Sequence, residues 1–146
     1  MRIVVDTNIV FSSLLNADND MGDVLLNYQN KFQFFAPQLV LDELLKYHTK
    51  LQKLSKLSAL NLNEAQTRIF DIITLISLDL IENANWTKAY ELTKNIDEND
   101  TPFVALALSL EAKLCTGDKI LTQGLQKRGM NITINTTALK RALLEK

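Results

Sequence analysis

The sequence predicts an α/β protein, a three-layer α/β/α sandwich built around a central parallel sheet of about five strands. Short apolar runs alternate with longer segments of helical periodicity along the chain. Strands that are joined through helices need crossover connections, which make them parallel and place helices on both faces of the sheet. With 146 residues, 47% of them hydrophobic, the chain can bury a core as one domain over residues 1–146.

The N-terminal third begins with a β-branched strand at residues 3–5, and residues 9–15 follow with apolar side chains at helical spacing. A second helix is predicted from residue 24 to residue 30. The aromatic-rich residues 32–36 predict a second strand, which the following proline closes. From residue 38 to residue 51, leucines recur on one side of the chain, so one amphipathic helix is expected there.

The middle of the chain is predicted to contain two further helices with a third strand between them. The sequence Asn-Glu-Ala-Gln at residues 63–66 resembles a capping box, so a helix is expected to begin there. The side chains expected to face inward on this helix are Ala65, Ile69, Ile72, Ile73 and Ile76. Residues 78–81 then predict a short strand, and residues 86–95 predict the next helix.

The C-terminal third continues the alternation of strands and helices. Thr101-Pro102 predicts the first turn of a strongly apolar helix over residues 103–110, because proline suits the first helical positions. The remaining predicted elements are a strand at 113–116, a helix at 120–127, a strand at 131–134 and a closing helix at 136–144.

Cysteine usage and charge narrow the class of protein. The single cysteine, Cys115, excludes an internal disulfide framework and a multi-thiolate zinc site within one chain. No signal peptide or transmembrane segment is expected, so the sequence predicts a cytoplasmic protein without a membrane partner. The net charge of -1 argues against nucleic-acid binding through bulk positive charge.

Four carboxylates are candidate site residues because of their positions relative to the predicted strands. Asp6 and Asp118 each follow a strand directly. Glu43 lies in the first turns of the helix after the second strand, and Asp100 precedes the apolar helix. Ligands bind beyond the carboxyl ends of parallel strands, so the four side chains are expected to converge in one crevice.

Taken singly, each of these acids has an ordinary structural explanation. An aspartate after a strand, such as Asp6, is often a helix N-cap or a turn residue, and Asp100 and Asp118 fit the same roles. Glu43 alone fits a solvated helix face. The joint placement of the four acids is what favours a functional site.

Converging carboxylates favour a bound cation. Two carboxylates about 4 Å apart repel by roughly 4 kcal/mol at an effective dielectric constant of about 20, so the group persists only if protonated or neutralised by a cation. Hard oxygen ligands select Mg²⁺ or Mn²⁺, as one or two ions. Such ions activate water and stabilise a reacting phosphate, which indicates metal-dependent phosphodiester hydrolysis.

Lysine and histidine side chains add less specific signals. Lys46, Lys50 and Lys53 continue the helix face that starts at Glu43, so they are candidate contacts for RNA phosphates as well as an ordinary solvated stripe. The only histidine, His48, lies on the apolar side of the same helix, where a packed side chain is expected. A serine or cysteine hydrolase triad, which needs a catalytic histidine, therefore has little support.

The ordered motifs of the chain resemble those of PIN domains over nearly its whole length. The matching segments are Val-Val-Asp-Thr-Asn at 4–8, Pro-Gln-Leu-Val-Leu-Asp-Glu-Leu at 37–44, Asp-Glu-Asn-Asp-Thr-Pro-Phe-Val-Ala-Leu-Ala at 97–107 and Thr-Gly-Asp-Lys at 116–119. Within this family, the chain is similar to the VapC-like toxins of type II toxin–antitoxin systems. The resemblance implies an α/β/α fold and metal-dependent endoribonuclease activity.

The resemblance also implies roles for individual residues. The catalytic and metal-binding acids implied are Asp6, Glu43, Asp100 and Asp118. Asn8 and Thr116 take the polar positions that orient those acids, and Asp97 is an additional acid of the metal site. Many relatives carry one more acid two residues after the Asp118 position, where this chain has Ile120, so a second metal ion is expected to be weakly held or to use Asp97.

The partners implied by the resemblance are RNA, an antitoxin protein and a second copy of the chain in a homodimer. The antitoxin segment is expected to occupy the acidic crevice, with a basic side chain in place of the metal. The RNA target is not specified by four carboxylates, because selectivity depends on groove shape and loop contacts.

Other proteins also gather acids at strand ends. A phosphotransfer receiver module needs an acceptor aspartate after its third strand, but Asp79 lies within the predicted strand and Glu43 would have no role. A haloacid-dehalogenase-type phosphatase needs an aspartate where Asn8 stands. A non-catalytic PIN-like RNA-binding or interaction domain is the third alternative, favoured by Ile120 and by the modest net charge.

Overall fold

The computed structural model of the chain describes residues 1–15, 31–55 and 57–144. The strands are β1 (Arg2–Val5), β2 (Gln33–Pro37), β3 (Ile73–Ile76), β4 (Lys113–Cys115) and β5 (Thr133–Ile134). The helices are α1 (Thr7–Leu15), α2 (Leu39–Lys46), α3 (His48–Ser55), α4 (Ala59–Ile72), α5 (Asn83–Thr93), α6 (Thr101–Leu110), α7 (Lys119–Lys127) and α8 (Thr136–Leu144). The helix predicted over residues 24–30 lies outside the described residues.

The sheet has the strand order β3-β2-β1-β4-β5, and every neighbouring pair is parallel. This confirms the predicted α/β/α architecture with a parallel sheet of five strands. From β1 the chain moves outward through β2 to β3, and it then returns to place β4 on the other side of β1. The strand order therefore reverses between β1 and β4, and such a switch point opens a crevice at the carboxyl ends of the strands.

The core is centred on β1 because this strand is apolar on both of its faces. Ile3, Val4 and Val5 are fully buried, as expected for a parallel strand that helices cover from both sides. Helix α6 packs against β1, β2 and β4, and all of its residues from Phe103 to Ala107 are buried. Helices α1, α2, α3 and α4 form one layer, while α5, α6 and α7 form the other. None of the described helices is long and apolar enough to cross a membrane.

The prediction of one helix from residue 38 to residue 51 is wrong in one respect, because the helix is broken at Tyr47. Helix α2 ends at Lys46 and α3 begins at His48, and between them the backbone of Tyr47 leaves the helical region at φ -102° and ψ 16°. Leu44 and Leu51 are both buried on either side of the break. Because Leu44 and Leu51 both face the core despite the break, the spacing of the leucines in the sequence does not reveal it.

Two predicted boundaries in the middle of the chain are also wrong. Helix α4 starts at Ala59, four residues before the predicted capping box, because the Ser58 side chain accepts the N–H of Asn61 at 3.1 Å. The third strand is β3, and the residues predicted as that strand form a 3₁₀ turn at Leu78–Leu80. Helix α4 continues into β3 without a loop, so the isoleucines at 72 and 73 fit a helical and an extended pattern equally well.

Candidate active site

Asp6 directly follows β1 and caps α1. Its Oδ1 atom accepts the backbone N–H of Ile9 at 2.8 Å. Burial raises the pKa of Asp6 above its ordinary value; hydrogen bonds from Ile9, Thr116 and the Asn8 backbone oppose the shift, and the negative charge of Asp118 adds to it. The role of Asp6 as a helix cap therefore explains its hydrogen bond with Ile9. It does not explain why the negative charge of Asp118 acts on Asp6, which is a separate feature of the site.

Asp118 follows β4 and caps α7. Its Oδ1 atom accepts the backbone N–H groups of Ile120 at 3.0 Å and Leu121 at 3.1 Å. The buried hydroxyl of Thr116 accepts the backbone N–H of Asp118 at 3.1 Å and hydrogen-bonds to the carboxylate of Asp6. Because one hydroxyl group both accepts and donates, Thr116 links the loops that leave β1 and β4.

Helix α7, which begins after Asp118, lies close to Ile96 at Gly124. A Cβ atom at Gly124 would lie 2.5 Å from Cδ1 of Ile96, a side chain that packs against the core between α5 and α6. Leu121 and Leu125 are buried on the same helix. Glycine therefore allows α7 to pack closely beside the turn that leads to the remaining acids.

Asp100 is the most perturbed carboxyl group of the site. It ends the 3₁₀ turn Glu98–Asp100 immediately before α6. Burial, followed by the negative charges of Asp97, Asp118 and Asp6, raises its pKa to about 6. Its Oδ2 atom is buried and has no hydrogen-bond partner in the part of the chain that the structure describes. A buried carboxylate oxygen without a partner is costly, so this atom is suited to a ligand.

Asp97 is exposed and lies at the other end of the same turn. Its Oδ1 atom accepts the backbone N–H of Asn99 at 2.9 Å, so it caps the turn. Asp97 is also the acid with the largest effect on Asp100. The structure therefore brings together Asp6, Asp97, Asp100 and Asp118, the acids that follow β1 and β4 and those that precede α6.

Glu43 lies on a different helix from the other predicted acids. It is half-buried in α2, which follows β2, and it is not among the acids that raise the pKa of Asp100. Glu43 stands more than one helical turn after the end of β2, whereas Asp6 stands directly after β1. The charge interactions at Asp100 thus link four of the five predicted acids, and the role of Glu43 stays a prediction.

Two polar residues, Thr7 and Asn8, directly follow Asp6 in the chain. Asn8 is exposed, and its backbone N–H bonds to Asp6. Thr7 was not selected from the sequence, yet its Oγ1 atom is buried without a hydrogen-bond partner among residues 1–15, 31–55 and 57–144. The sequence feature that could have identified Thr7 is its position between Asp6 and Asn8, at the mouth of the predicted crevice.

The donor set fits a hydrated divalent cation. No cluster of three or more Asp, Glu, His or Cys side chains in the described part of the chain is close enough to form a complete metal-binding cage. Mg²⁺ does not need such a cage, because it keeps several waters and is commonly bound by one or two carboxylates together with substrate phosphates. Two features support the fit: the unpartnered oxygen of Asp100 and the mutual repulsion of the neighbouring acids.

Lys46, Lys50 and Lys53 are exposed on α2 and α3. They border a surface depression of about 450 Å³, and the Lys46 ammonium group lies 5.6 Å from the centre of the Tyr47 ring. The break at Tyr47 distributes the three lysines over two helices, so they form a basic patch rather than the single stripe that the sequence predicts.

Comparison with known proteins gives a family match. Residues 4–140 match the sequence profile of the PIN domain. The chain is 30% identical over 142 residues to the uncharacterised protein MJ1680 of Methanocaldococcus jannaschii, and the match covers 96% of this chain and 84% of that protein.

Two solved structures are similar to the chain in fold. VapBC2 from Rickettsia felis, bound to a DNA fragment from its promoter, has a TM-score of 0.63 at 19% identity, over 92% of this chain and 98% of that one. PAE2754 from Pyrobaculum aerophilum has a TM-score of 0.66 at 13% identity, over 100% of this chain and 91% of that one. At these identities the two structures support the fold alone.

Proposed function

This chain belongs to the PIN domain family, and on that basis we propose that it is an endoribonuclease that hydrolyses RNA phosphodiester bonds with Mg²⁺ or Mn²⁺. The observation that carries the proposal is the environment of Asp100. Asp100 is a half-buried carboxylate with an unpartnered oxygen, and three neighbouring acids raise its pKa, so a bound cation would offset the repulsion on its anionic form. Because the chain belongs to the PIN domain family, we do not retain the receiver-module and haloacid-dehalogenase-type phosphatase alternatives.

Each acid has a distinct task in this proposal. Asp118 uses Oδ1 for both of its capping hydrogen bonds, which leaves Oδ2 for a cation. Asp6 and Asp100 supply further oxygens, and Asp97 is the acid available for a second ion. The chemistry that such cations supply when bound is activation of water and stabilisation of charge at the reacting phosphate.

Residues around the acids position them and the substrate. The Thr116 hydroxyl bonds to the Asp6 carboxylate and to the N–H of Asp118, and it thereby positions Asp6 relative to the start of α7. Asn8 lies beside Asp6 at the exposed mouth of the site. Glu43 and the basic patch lie on the β2 side, where we assign Glu43 to the catalytic acids and the lysines to RNA phosphates on entry.

The biological role that we propose is that of the toxin in a type II toxin–antitoxin system of the cytoplasm, with an antitoxin protein as partner and a homodimer as its assembly. The resemblance of the sequence motifs to VapC-like toxins supports this role, and VapBC2 of Rickettsia felis shares the fold. An antitoxin side chain with a positive charge would offset the same repulsion around Asp100 that a cation offsets.

The test is cleavage of a panel of structured and single-stranded RNAs in Mg²⁺, in Mn²⁺ and in EDTA. The wild type is compared with Asp6→Asn and with Asp71→Asn. Asp71 is an exposed acid just before β3, at the opposite end of the sheet from Asp6. Cleavage that needs metal and Asp6 but not Asp71 supports the proposal. Metal-independent cleavage, or equal activity of the two variants, contradicts it.

A non-catalytic PIN-like RNA-binding domain is the second candidate function. The observation that favours it is Ile120, which is 73% exposed in the first turn of α7, beside Asp118, where many relatives carry an acid. RNA binding without cleavage of any RNA in the panel, and without metal binding in titration calorimetry, would support this candidate. Metal binding without cleavage would instead indicate a narrow substrate range.

A further inference from the structure

A cavity of about 390 Å³ opens at the carboxyl ends of β4 and β5, and Gly117 and Lys119, which flank Asp118, are among the residues that line it. It lies between α7 and α8, and its lining includes Thr116, Gln123, Gln126, Ile134, Asn135 and Ala138. Its volume falls within the range of about 300–1,000 Å³ that is typical of small-molecule sites. The acids, the Lys46 patch and the family resemblance do not account for this cavity.

The glutamines supply the free hydrogen-bonding groups of the cavity. Thr122 is already engaged, since its hydroxyl donates to the carbonyl oxygen of Asp118, and Asn135 Oδ1 accepts the N–H of Ala138 at 2.7 Å. The side-chain amides of Gln123 and Gln126 form no hydrogen bond with the described part of the chain. They are three positions apart on α7, so both amides are presented on one face of the helix, each with two donor hydrogens and an acceptor oxygen.

The rest of the lining restricts what the cavity can bind. Ile134 and Ala138 provide an apolar surface, and Lys119 provides a positive charge. None of the lining residues is acidic, so the cavity offers no carboxylate to a second metal ion. A planar group with an apolar face, a hydrogen-bonding edge and a nearby negative charge matches this chemistry, and a nucleotide has all three features.

The cavity is continuous with the carboxylate site through Thr116. This residue lines the cavity, accepts the N–H of Asp118 and bonds to Asp6. β5 is the next strand after β4, and neighbouring strands lie about 4.8 Å apart, so the cavity is one strand away from the acids. A nucleotide whose phosphate lies at the acids could therefore place an adjacent base in the cavity.

Resting on the proposed nuclease function, we infer that this cavity binds one unpaired nucleobase of the RNA beside the cleaved phosphate, with Gln123 and Gln126 hydrogen-bonding to its edge. Proteins read RNA sequence mainly from unpaired bases, whose edges are free to hydrogen-bond. The two glutamines are then specificity-determining residues and not catalytic ones. Lys119 contacts the phosphate that joins this nucleotide to the scissile position.

Binding of single-stranded RNA trinucleotides with each of the four bases at the centre tests the inference without cleavage. The measurement uses the Asp6→Asn protein in Mg²⁺, and it is repeated with Gln123→Ala/Gln126→Ala and with the control Gln66→Ala. Gln66 lies on α4, which packs beside β3 at the far edge of the sheet. Both cavity glutamines are exposed, so a circular-dichroism melt of the double variant is expected to match that of the control.

The expected result is that dissociation constants differ among the four bases by roughly 5- to 150-fold, the discrimination of a well-formed side-chain-to-base contact. The double variant should reduce this difference to less than about twofold, while the Gln66→Ala control keeps it. Equal binding of all four bases by the parent protein, or an unchanged preference in the double variant, would overturn the inference. A uniform loss of affinity for every base would also overturn it, because the glutamines would then contact only the backbone.

This test is separate from the test of the proposed function. If the wild type cleaves RNA and the double variant shows the same base preference, the nuclease proposal stands and the inference about the cavity is wrong. If base preference depends on the glutamines but no RNA is cleaved in Mg²⁺ or Mn²⁺, the cavity assignment stands and the nuclease proposal is wrong. Where both hold, the preferred base should be found beside the cleavage site in sequenced products.

Discussion

The hydroxyl of Thr101 lies 2.6 Å from that of Thr93, in a buried contact between α5 and the start of α6. Thr93 already donates its hydrogen to the carbonyl oxygen of Ala89 at 2.8 Å, so Thr101 is the donor in this pair. Thr101 directly follows Asp100. The contact therefore anchors the backbone that carries the most perturbed acid of the site.

Thr101→Val should lower the free energy of unfolding by about 1–3 kcal/mol, because Thr93 keeps a buried oxygen that has lost its donor. Urea denaturation measures the change. Thr67→Val is the control, since Thr67 forms an exposed hydrogen bond within α4 and its removal should cost about 0.5 kcal/mol or less. Thr93→Val combined with Thr101→Val should cost less than the sum of the single changes; strict additivity would mean that the two hydroxyls do not interact.

Substitutions at Asp118 should separate its capping role from its charge. Asparagine caps helices about as well as aspartate does, so Asp118→Asn should keep the stability of the fold and lose RNA cleavage. Asp118→Ala should lose cleavage and also about 0.5–2 kcal/mol of stability, because the N–H groups of Ile120 and Leu121 lose their acceptor. Thermal melts in EDTA and cleavage assays in Mg²⁺ measure the two effects. Equal stability of the two variants would show that the cap does not contribute.

The raised pKa of Asp100 makes the stability of the metal-free protein depend on pH. Its pKa rises from 3.8 to about 6 on folding, so the folded protein binds this proton more tightly than the unfolded chain does. The resulting stabilisation is fully present below about pH 4 and is lost as the pH rises through about 6. In EDTA, the Tm of the wild type minus that of Asp100→Asn should therefore fall from about pH 4 to about pH 7. A difference that stays constant or rises over this window would contradict the assignment.

Replacing Lys46, Lys50 and Lys53 together by alanine should weaken RNA binding without a preference for sequence. Each phosphate contact with single-stranded nucleic acid contributes about 0.7 to the slope of log affinity against log salt, so the slope should decrease by up to about 2. Fluorescence anisotropy over a salt series measures the slope. The variant Lys88→Ala/Lys127→Ala removes exposed lysines from the other helix layer and should leave the slope almost unchanged. A comparable decrease in that control would mean that total charge, and not the basic patch, governs binding.

Much of the architecture could be predicted because strands and helices have different apolar periods. The run at residues 3–5 is a buried strand, and Pro102 stands in the first turn of α6, as the sequence predicts. The wrong predictions concern segments whose pattern of apolar residues is compatible with two different secondary structures. The isoleucines at 72 and 73 allowed helix α4 to be extended through β3, and the leucines on either side of Tyr47 concealed the break between α2 and α3.

The sequence by itself determined that acids follow the strands β1 and β4, since this order is a property of the chain. Only the tertiary structure decided which acids act on one another. β4 returns to the side of β1, and this brings Asp118 and the turn at Asp97 and Asp100 to Asp6, while Glu43 stays with α2 beyond β2. The cavity at Gln123 depends in the same way on β5 and α8 lying beside α7. Charge interactions and cavities depend on distances through space, and residues far apart in the chain acquire those distances only when the sheet assembles.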